Sequence, residues 1–185
     1  MTPFLTLYTP TYRRPVQLAA CLASVSAQTA RADVEHLIIA DHVGRGIEGM
    51  YAQVPEYTEA VHGHYVHILA DDDVLASTTV VEEVREFAKA HHHPALILVT
   101  ATKAGQDWPA GPPWPPCQGR IDLGCTITRA DIWRRYARAG AYGTRYEGDF
   151  DFLMALHNGG IVPAICPIRF LYGAVSRGRP EGVLA

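Results

Sequence analysis

Three adjacent aspartates, Asp71, Asp72 and Asp73, directly follow an apolar segment at residues 65–69. Hard divalent ions such as Mg²⁺ or Mn²⁺ take one or two protein carboxylates and complete their coordination with phosphate oxygens and water. In an extended segment, alternate side chains lie roughly 7 Å apart on one face, so Asp71 and Asp73 are expected to point together. The run predicts a metal that joins a diphosphate to the protein. The alternative is an acidic turn in which Asp73 or Ser77 caps the following helix.

Two further polar segments also follow predicted strands. Residues 9–14 come after the apolar segment 4–8, and residues 41–45 come after the apolar segment 36–40. Ligands of open α/β sheets bind beyond the carboxyl ends of the strands. We therefore expect both segments and the aspartates to converge on one edge of a sheet.

The apolar periodicity indicates the elements that must position these residues. Strands are predicted at residues 4–8, 36–40, 65–69 and 96–100, and helices at residues 15–28, 130–139 and 150–157. Thr79 and Glu82 form a plausible capping box for a further helix. Strands that alternate with helices favour parallel pairing through right-handed crossovers. The fold class predicted is a three-layer α/β/α sandwich with a mostly parallel central sheet.

The chain length and composition bound the domain organisation. With 185 residues and 48% hydrophobic content, the sequence predicts one domain over residues 1–185. A first half at about 1–102 is separated from a second half at about 121–185 by a segment rich in proline and tryptophan, at about 103–120. This segment is expected to be a loop, because too little chain follows it to make a second domain.

Charge and cysteine content restrict the class of protein. The sequence has 16 basic and 19 acidic residues, a net charge of −3, and does not favour a polyanion as the main partner. The four cysteines lie far apart, which favours reduced thiols in a cytoplasm. The apolar stretch at residues 4–8 is too short for a signal sequence or a membrane span. A soluble, cytoplasmic protein is expected.

Four segments, in order, resemble the GT-A-fold glycosyltransferases of the second sequence family. Residues 9–15, Thr-Pro-Thr-Tyr-Arg-Arg-Pro, are similar to the opening "TPTYNR-P" segment of that family, and residues 37–41 to its second strand and aspartate. Residues 64–73 resemble the strand that carries the DXD motif, and residues 147–153 resemble the "GED-D-L" acceptor-side segment. The resemblance spans roughly residues 4–172, and the chain is unusually short for the family.

The resemblance implies a nucleotide-diphosphate site and a divalent metal, Mn²⁺ or Mg²⁺. A tyrosine ring can stack on a base, and a carboxylate can accept the imide hydrogen of uracil, so a UDP-sugar donor is favoured. The implied metal ligands are Asp71, Asp72 and Asp73. The implied nucleotide-binding residues are Pro10, Thr11, Tyr12, Arg14, Asp41, Arg45, Asp71 and Asp72.

The resemblance also implies an acceptor side. Asp149 is the expected general base, and the positive end of the helix beginning at residue 150 is expected to keep its carboxylate ionised. Glu147 is a second candidate, because the chain reads Glu-Gly-Asp where the family has Gly-Glu-Asp. Asp149 is alternatively the N-cap of that helix. Asp151, Trp108 and Trp114 are expected to face the acceptor, and the tryptophans either stack on sugar rings or fold over the core as a lid.

The expected activity is inverting, metal-dependent transfer of a sugar from a nucleotide diphosphate to a hydroxyl group. The acceptor is left open among a glycan, a lipid-linked sugar and a modified nucleic acid, and the oligomeric state is not determined. The segment between the second and third strands is shorter than in the family, and Phe170 to Gly173 replace a region where many relatives place a metal-binding histidine. Two alternatives follow: a nucleotide-sugar-binding module without catalysis and, less favoured, a metal-dependent phosphoesterase.

Overall fold

A single mixed sheet joins strands from both predicted halves of the chain. The computed structural model describes residues 2–173. Its eight strands are β1 (Leu5–Thr11), β2 (Val34–Ala40), β3 (Tyr65–Ile68), β4 (Asp73–Leu75), β5 (Leu96–Lys103), β6 (Gln106–Trp108), β7 (Thr126–Arg129) and β8 (Ala164–Gly173). They lie in the order β2-β1-β3-β7-β5-β8-β4, and β6 pairs with β5 outside this path.

Most strands share one direction, as predicted. β1 pairs in parallel with β2 and β3, and β5 pairs in parallel with β8. β7 lies antiparallel between β3 and β5, β4 is antiparallel to β8, and β6 is antiparallel to β5. The carboxyl ends of β1, β2, β3, β5 and β8 therefore lie at the same edge of the sheet, and this edge positions the candidate site.

Helices cover both faces of the sheet and complete the three-layer sandwich. The helices are α1 (Pro15–Ser26), α2 (Gly46–Gln53), α3 (Val80–Ala90), α4 (Ala130–Arg138) and α5 (Gly148–Asn158). α1 and α3 adjoin β4 and β8, whereas α4 adjoins β3, β7, α5 and a 3-10 segment, Val54–Ala60. None of the helices within residues 2–173 is long and apolar enough to cross a membrane.

The core fills the space between these layers, and it includes a group of aromatic side chains from both halves of the chain. Trp133 and Tyr142 are buried, and the Trp133 indole donates a hydrogen bond to the Tyr142 hydroxyl at 2.9 Å. Tyr142 stacks on Tyr51 on one side and on Phe152 on the other. Because Tyr51 belongs to α2 and Phe152 to α5, this stack fixes the beginning of α5 against the first half of the chain.

Several local predictions are wrong in detail. The predicted loop at residues 103–120 begins with a hairpin, because β6 pairs with β5 through a tight turn in which Ala104 and Gly105 both have positive φ. The stretch Asp41 to Gly49, with three glycines, predicts a loop, but residues 46–49 lie in α2. The capping box is not formed: the Thr79 hydroxyl donates to Glu83 at 2.5 Å, rather than pairing with Glu82.

Candidate active site

The three polar segments meet at the carboxyl edge of the sheet, as predicted. Thr11 is the last residue of β1, and its backbone carbonyl accepts a hydrogen bond from the Asp41 N–H, 2.8 Å away, where β2 has just ended. The Thr11 hydroxyl donates to Asp71 Oδ2, also at 2.8 Å. Because β1 lies between β2 and β3, its last residue touches the segments that follow both neighbours.

Arg14 links two of the aspartates. Its Nη1 donates to Asp71 Oδ1 at 3.2 Å and to Asp72 Oδ2 at 3.1 Å. The Asp71 side chain is only 6% exposed. Burial raises the pKa of Asp71, whereas the Thr11 hydroxyl and the Arg14 guanidinium act to lower it. We refer to Thr11, Arg14, Asp71 and Asp72 as the arginine cluster.

Asp73 does not point together with Asp71, contrary to the sequence prediction. It is the first residue of β4, and its Oδ2 lies 3.8 Å from the Lys103 ammonium at the end of β5. Lys103 also donates to Asp122 Oδ2 at 2.9 Å. The local reason is a turn: Asp73 N–H bonds to the Ala70 carbonyl, so residues 70–73 reverse the chain instead of continuing β3.

The surroundings of Lys103 are shaped to admit its side chain. A Cβ at Gly173 would lie 2.7 Å from Lys103 Cγ, and a Cβ at Gly124 would lie 2.9 Å from Lys103 Nζ, so a side chain at either position would displace Lys103. Burial acts to lower the pKa of Lys103, but the carboxylates of Asp122 and Asp73 outweigh it and raise that pKa. Burial raises the pKa of Asp73 to about 7, against the opposing charge of Lys103.

Asp149 lies in the first turn of α5, one residue after the helix begins at Gly148. The N-cap position belongs to Glu147, so the alternative that Asp149 is the N-cap is wrong. Asp149 Oδ1 accepts a hydrogen bond from the Phe150 N–H at 2.7 Å. Burial raises the pKa of Asp149 and Asp122 adds to the increase, whereas the Phe150 N–H and Lys103 oppose it. The helix end therefore does not set this pKa alone.

Gly148 explains the order of residues in the acceptor-side segment. A Cβ at this position would lie 2.4 Å from both the Tyr142 carbonyl oxygen and Tyr51 Cδ2. A side chain such as the glutamate of the family pattern would not fit there, and in this chain the glutamate stands one position earlier, at Glu147. We refer to Asp73, Lys103, Asp122 and Asp149 as the lysine cluster, because Lys103 interacts electrostatically with each of the three carboxylates.

Two predicted site residues have structural partners. Asp151 accepts hydrogen bonds from the Arg145 guanidinium, which lowers the pKa of Asp151. The Arg45 side chain, from the residue just before α2, donates to Gln53 Oε1 at 3.0 Å at the end of that helix. The structure therefore does not place Arg45 against Asp71 or Asp72.

A cleft of about 300 Å³ adjoins the arginine cluster. It is lined by Thr11, Tyr12, Arg13, Arg14, Pro15, Leu18, Ala40, Asp41 and His42. Pro10 lies on a smaller, neighbouring depression that also includes Asp41. Four of the eight residues predicted to bind a nucleotide line the cleft, namely Thr11, Tyr12, Arg14 and Asp41. Pro10, Asp71 and Asp72 adjoin it.

The loop after β2 is held by Asp41 and packs against Tyr12. The Asp41 carboxylate accepts the backbone N–H groups of Val43 and Gly44, each at 2.9 Å, and of Arg45 at 2.5 Å. Gly44 has φ +82°, and a Cβ there would lie 2.6 Å from the Tyr12 ring. The glycine thus lets the loop approach Tyr12, while the Arg13 guanidinium lies 5.1 Å from the centre of the same ring.

Trp108 and Trp114 are half-buried against the core. Trp108 ends β6, and Trp114 makes an edge-to-face contact with His157 of α5, with 5.6 Å between ring centres. The two rings thus cover the core in this structure, which is one of the two arrangements expected from the sequence.

The donor set at the arginine cluster fits a hard divalent cation. Among residues 2–173, no three His, Cys, Asp or Glu side chains form a cluster that could hold a metal ion. Mg²⁺ nevertheless uses only one or two carboxylates where phosphate oxygens and water supply its other ligands. Asp71 and Asp72 converge on one point at the edge of the cleft, and Arg14 Nη1 occupies that point.

Sequence reasoning missed the lysine at the centre of the second cluster. Lys103 is one of only two lysines in the sequence. It lies at the carboxyl end of a largely buried strand, as the aspartates do, and this position was the signal that could have identified it. Asp122 carried no comparable pattern. His67 of β3 is 1% exposed; its Nδ1 lies 2.8 Å from the Thr126 carbonyl oxygen, and its Nε2 has no hydrogen-bond partner among the described residues.

No family model matches the sequence, and no curated protein matches it. Solved structures do match the fold. S. aureus TarS in complex with UDP superposes with a TM-score of 0.67 at 12% identity, covering 93% of this chain and 60% of that one. The mannosyltransferase PcManGT from Pyrobaculum calidifontis, in complex with GDP-Man and Mn²⁺, gives 0.66 at 12% identity, covering 98% and 59%. A197 from STIV gives 0.54 at 13% identity, covering 93% and 86%.

The chain therefore has the mixed α/β fold of the GT-A-type glycosyltransferases. It spans between 37% and 61% of the length of the TarS chains that it matches. At these identities the likeness establishes the fold, and what the protein does has to be argued from its own residues.

Proposed function

We propose that this protein transfers a sugar from a nucleotide diphosphate to a hydroxyl group. The observation that carries the proposal is the position of two unlike carboxylate clusters at the carboxyl edge of one GT-A-type sheet. The arginine cluster adjoins the cleft, and the lysine cluster contains Asp149, a partly buried carboxylate with a raised pKa. One cluster is suited to holding a diphosphate, and the other to accepting a proton.

The donor would lie in the cleft beside the arginine cluster. Tyr12 offers a ring for the base, and Arg13 and Arg14 offer cationic groups for the diphosphate. A uracil base is favoured, because Asp41 can accept an imide hydrogen. Its Oδ1 already accepts two backbone N–H groups, whereas Oδ2 accepts only one and has capacity for a further hydrogen bond. TarS has been solved with UDP and with UDP-GlcNAc, and PcManGT with GDP-Man.

The transfer would be inverting. Asp149 takes the proton of the acceptor hydroxyl, and that oxygen forms a bond to the anomeric carbon as the bond from this carbon to the diphosphate breaks. The nucleotide diphosphate leaves with the electron pair, and no covalent enzyme intermediate is needed. Asp71 and Asp72 would hold Mg²⁺ or Mn²⁺, which when bound neutralises charge on the leaving diphosphate. Trp108, Trp114 and Asp151 remain proposed acceptor-side residues.

The test is product analysis with purified protein, UDP-GlcNAc or GDP-Man, Mn²⁺ and a panel of glycan, lipid-linked and nucleic-acid acceptors. Transfer gives a glycosylated acceptor and the nucleotide diphosphate in equal amounts. Binding of the donor by calorimetry, without turnover on any acceptor, would instead identify a nucleotide-sugar-binding module. Release of free phosphate would identify a phosphoesterase, and no binding of either donor would contradict the proposal.

A further inference from the structure

The Arg14 side chain lies where a divalent cation would have to bind. A single nitrogen, Nη1, donates to one oxygen of Asp71 at 3.2 Å and to one oxygen of Asp72 at 3.1 Å. A cation coordinated by both carboxylates would occupy the same gap at shorter distances, since Mg²⁺ binds oxygen at about 2.0–2.1 Å. Two positive groups cannot occupy this gap together, so the guanidinium and a metal compete for the same oxygens.

Arg14 also has an alternative anionic partner within reach. It lines the cleft together with Tyr12 and Arg13, where the diphosphate of a nucleotide is proposed to lie. Its side chain is 25% exposed, and it extends from the residue just before α1, so it contacts both the carboxylates and the open cleft. A guanidinium pairs with phosphate as readily as with carboxylate.

Thr11 keeps the carboxylate geometry independent of Arg14. Its hydroxyl holds Asp71 Oδ2 at 2.8 Å, and the turn after β3 fixes the backbone of residues 70–73. Movement of the arginine would therefore leave Asp71 oriented toward the gap, rather than releasing it to solvent.

We propose that Arg14 is an exchangeable counter-ion of the Asp71 and Asp72 carboxylates, which leaves them for the nucleotide diphosphate and thereby admits the metal. The inference rests on the proposed function for its second partner, the diphosphate. It gives Arg14 two roles: it blocks the metal site in the free protein, and it binds the donor once the site is filled. Metal and nucleotide should then bind with positive coupling, which depends on this one residue.

The experiment measures the affinity of the free protein for Mn²⁺ alone, by electron paramagnetic resonance of unbound Mn²⁺, in wild type and in Arg14→Gln. The variant should bind Mn²⁺ more tightly by about 5- to 150-fold, the usual range of such couplings. Arg31→Gln is the matched control, because it removes the same charge from the 3-10 turn before β2, at the opposite end of that strand from Asp41. It should change the affinity by less than about twofold. Adding Asp72→Asn to Arg14→Gln should remove the gain.

An unchanged or weaker Mn²⁺ affinity in folded Arg14→Gln overturns the proposal, as does an equal gain in Arg31→Gln, which would show a general charge effect. If circular dichroism shows that Arg14→Gln does not fold, the Mn²⁺ titration is carried out with Arg14→Lys instead. Its shorter side chain should still give a gain of about twofold or more, and no gain overturns the proposal. A second titration, with UDP present, should show that UDP raises the Mn²⁺ affinity less in Arg14→Gln than in wild type. Wild type that binds Mn²⁺ but no nucleotide would contradict the proposed function and leave the competition at Arg14 standing.

Discussion

The arginine cluster and the lysine cluster lie at the same edge of one sheet, and they treat their carboxylates differently. In the first, one guanidinium pairs with both Asp71 and Asp72 at 3.1–3.2 Å. In the second, Lys103 lies 2.9 Å from Asp122 but 3.8 Å from Asp73, and Asp149 accepts only a backbone N–H among the hydrogen bonds of the described residues. Carboxylates paired with a cation are suited to ligand binding, whereas a partly buried and weakly paired carboxylate is suited to accepting a proton.

The largest expected effect separates the two clusters by chemistry. Asp149→Asn keeps the side-chain volume and removes the proton acceptor, so transfer should fall by about 10²–10⁴-fold while donor affinity stays within error. Steady-state kinetics and calorimetry measure the two quantities. Asp131→Asn is the matched control, because this aspartate also lies in the first turn of a helix but pairs with Arg129. Glu147→Gln should have a milder effect, and a greater loss in that variant than in Asp149→Asn would reassign the base.

Binding should depend on the other cluster. Asp72→Asn removes half of the carboxylate pair, so UDP affinity in the presence of Mn²⁺ should fall by about 10- to 100-fold. Asp73→Asn should change that affinity by less than about threefold, since Asp73 faces Lys103 instead. Calorimetry with both variants measures the difference. Equal losses would show that the two clusters form one metal site, as the sequence suggested.

A smaller effect tests what holds the lysine cluster together. Lys103→Met leaves Asp122 and Asp73 without their cation, so the free energy of unfolding should decrease by about 1–3 kcal/mol. The other lysine, Lys89, provides the control: it is 54% exposed and pairs with Glu86 along α3, so Lys89→Met should cost less than about 0.5 kcal/mol. Urea denaturation measures both. If the two variants are equally stable, Lys103 is not a structural counter-ion.

The last expected effect is a pH dependence of stability. The pKa of Asp73 is raised to about 7 in the folded protein, above its value of about 4 in an unfolded chain. Between these values the folded state binds a proton that the unfolded state releases, so Asp73 favours folding below pH 4 and loses this contribution as the pH rises through 7. Asp73→Asn should remove that decline, which is at most about 1.4 kcal/mol per pH unit. Urea midpoints of both proteins from pH 5 to 8, in EDTA, measure it. Parallel curves would show that Asp73 is ionised throughout.

The sequence alone was enough to predict the fold class and one edge of the site. Alternating apolar segments and helical periodicity predict a layered α/β fold, because burial follows local period, and β1, β2 and β3 form close to the predicted positions. The polar residues after those strands had to meet, because parallel strands end at one edge. Thr11, Tyr12, Asp41 and Asp71 could therefore be grouped without coordinates.

Only the tertiary structure decided how the carboxylates are shared between cations. Asp71 and Asp73 were expected on one face because an extended chain alternates, but the turn at residues 70–73 sends Asp73 into β4 and toward Lys103. Lys103 and Asp122 are 19 residues apart, and no local pattern relates them. Burial, which raises the pKa of Asp149, depends on packing of α5 against Tyr51 and Tyr142. Such contacts come from chain segments distant in sequence, and local periodicity carries no information about them.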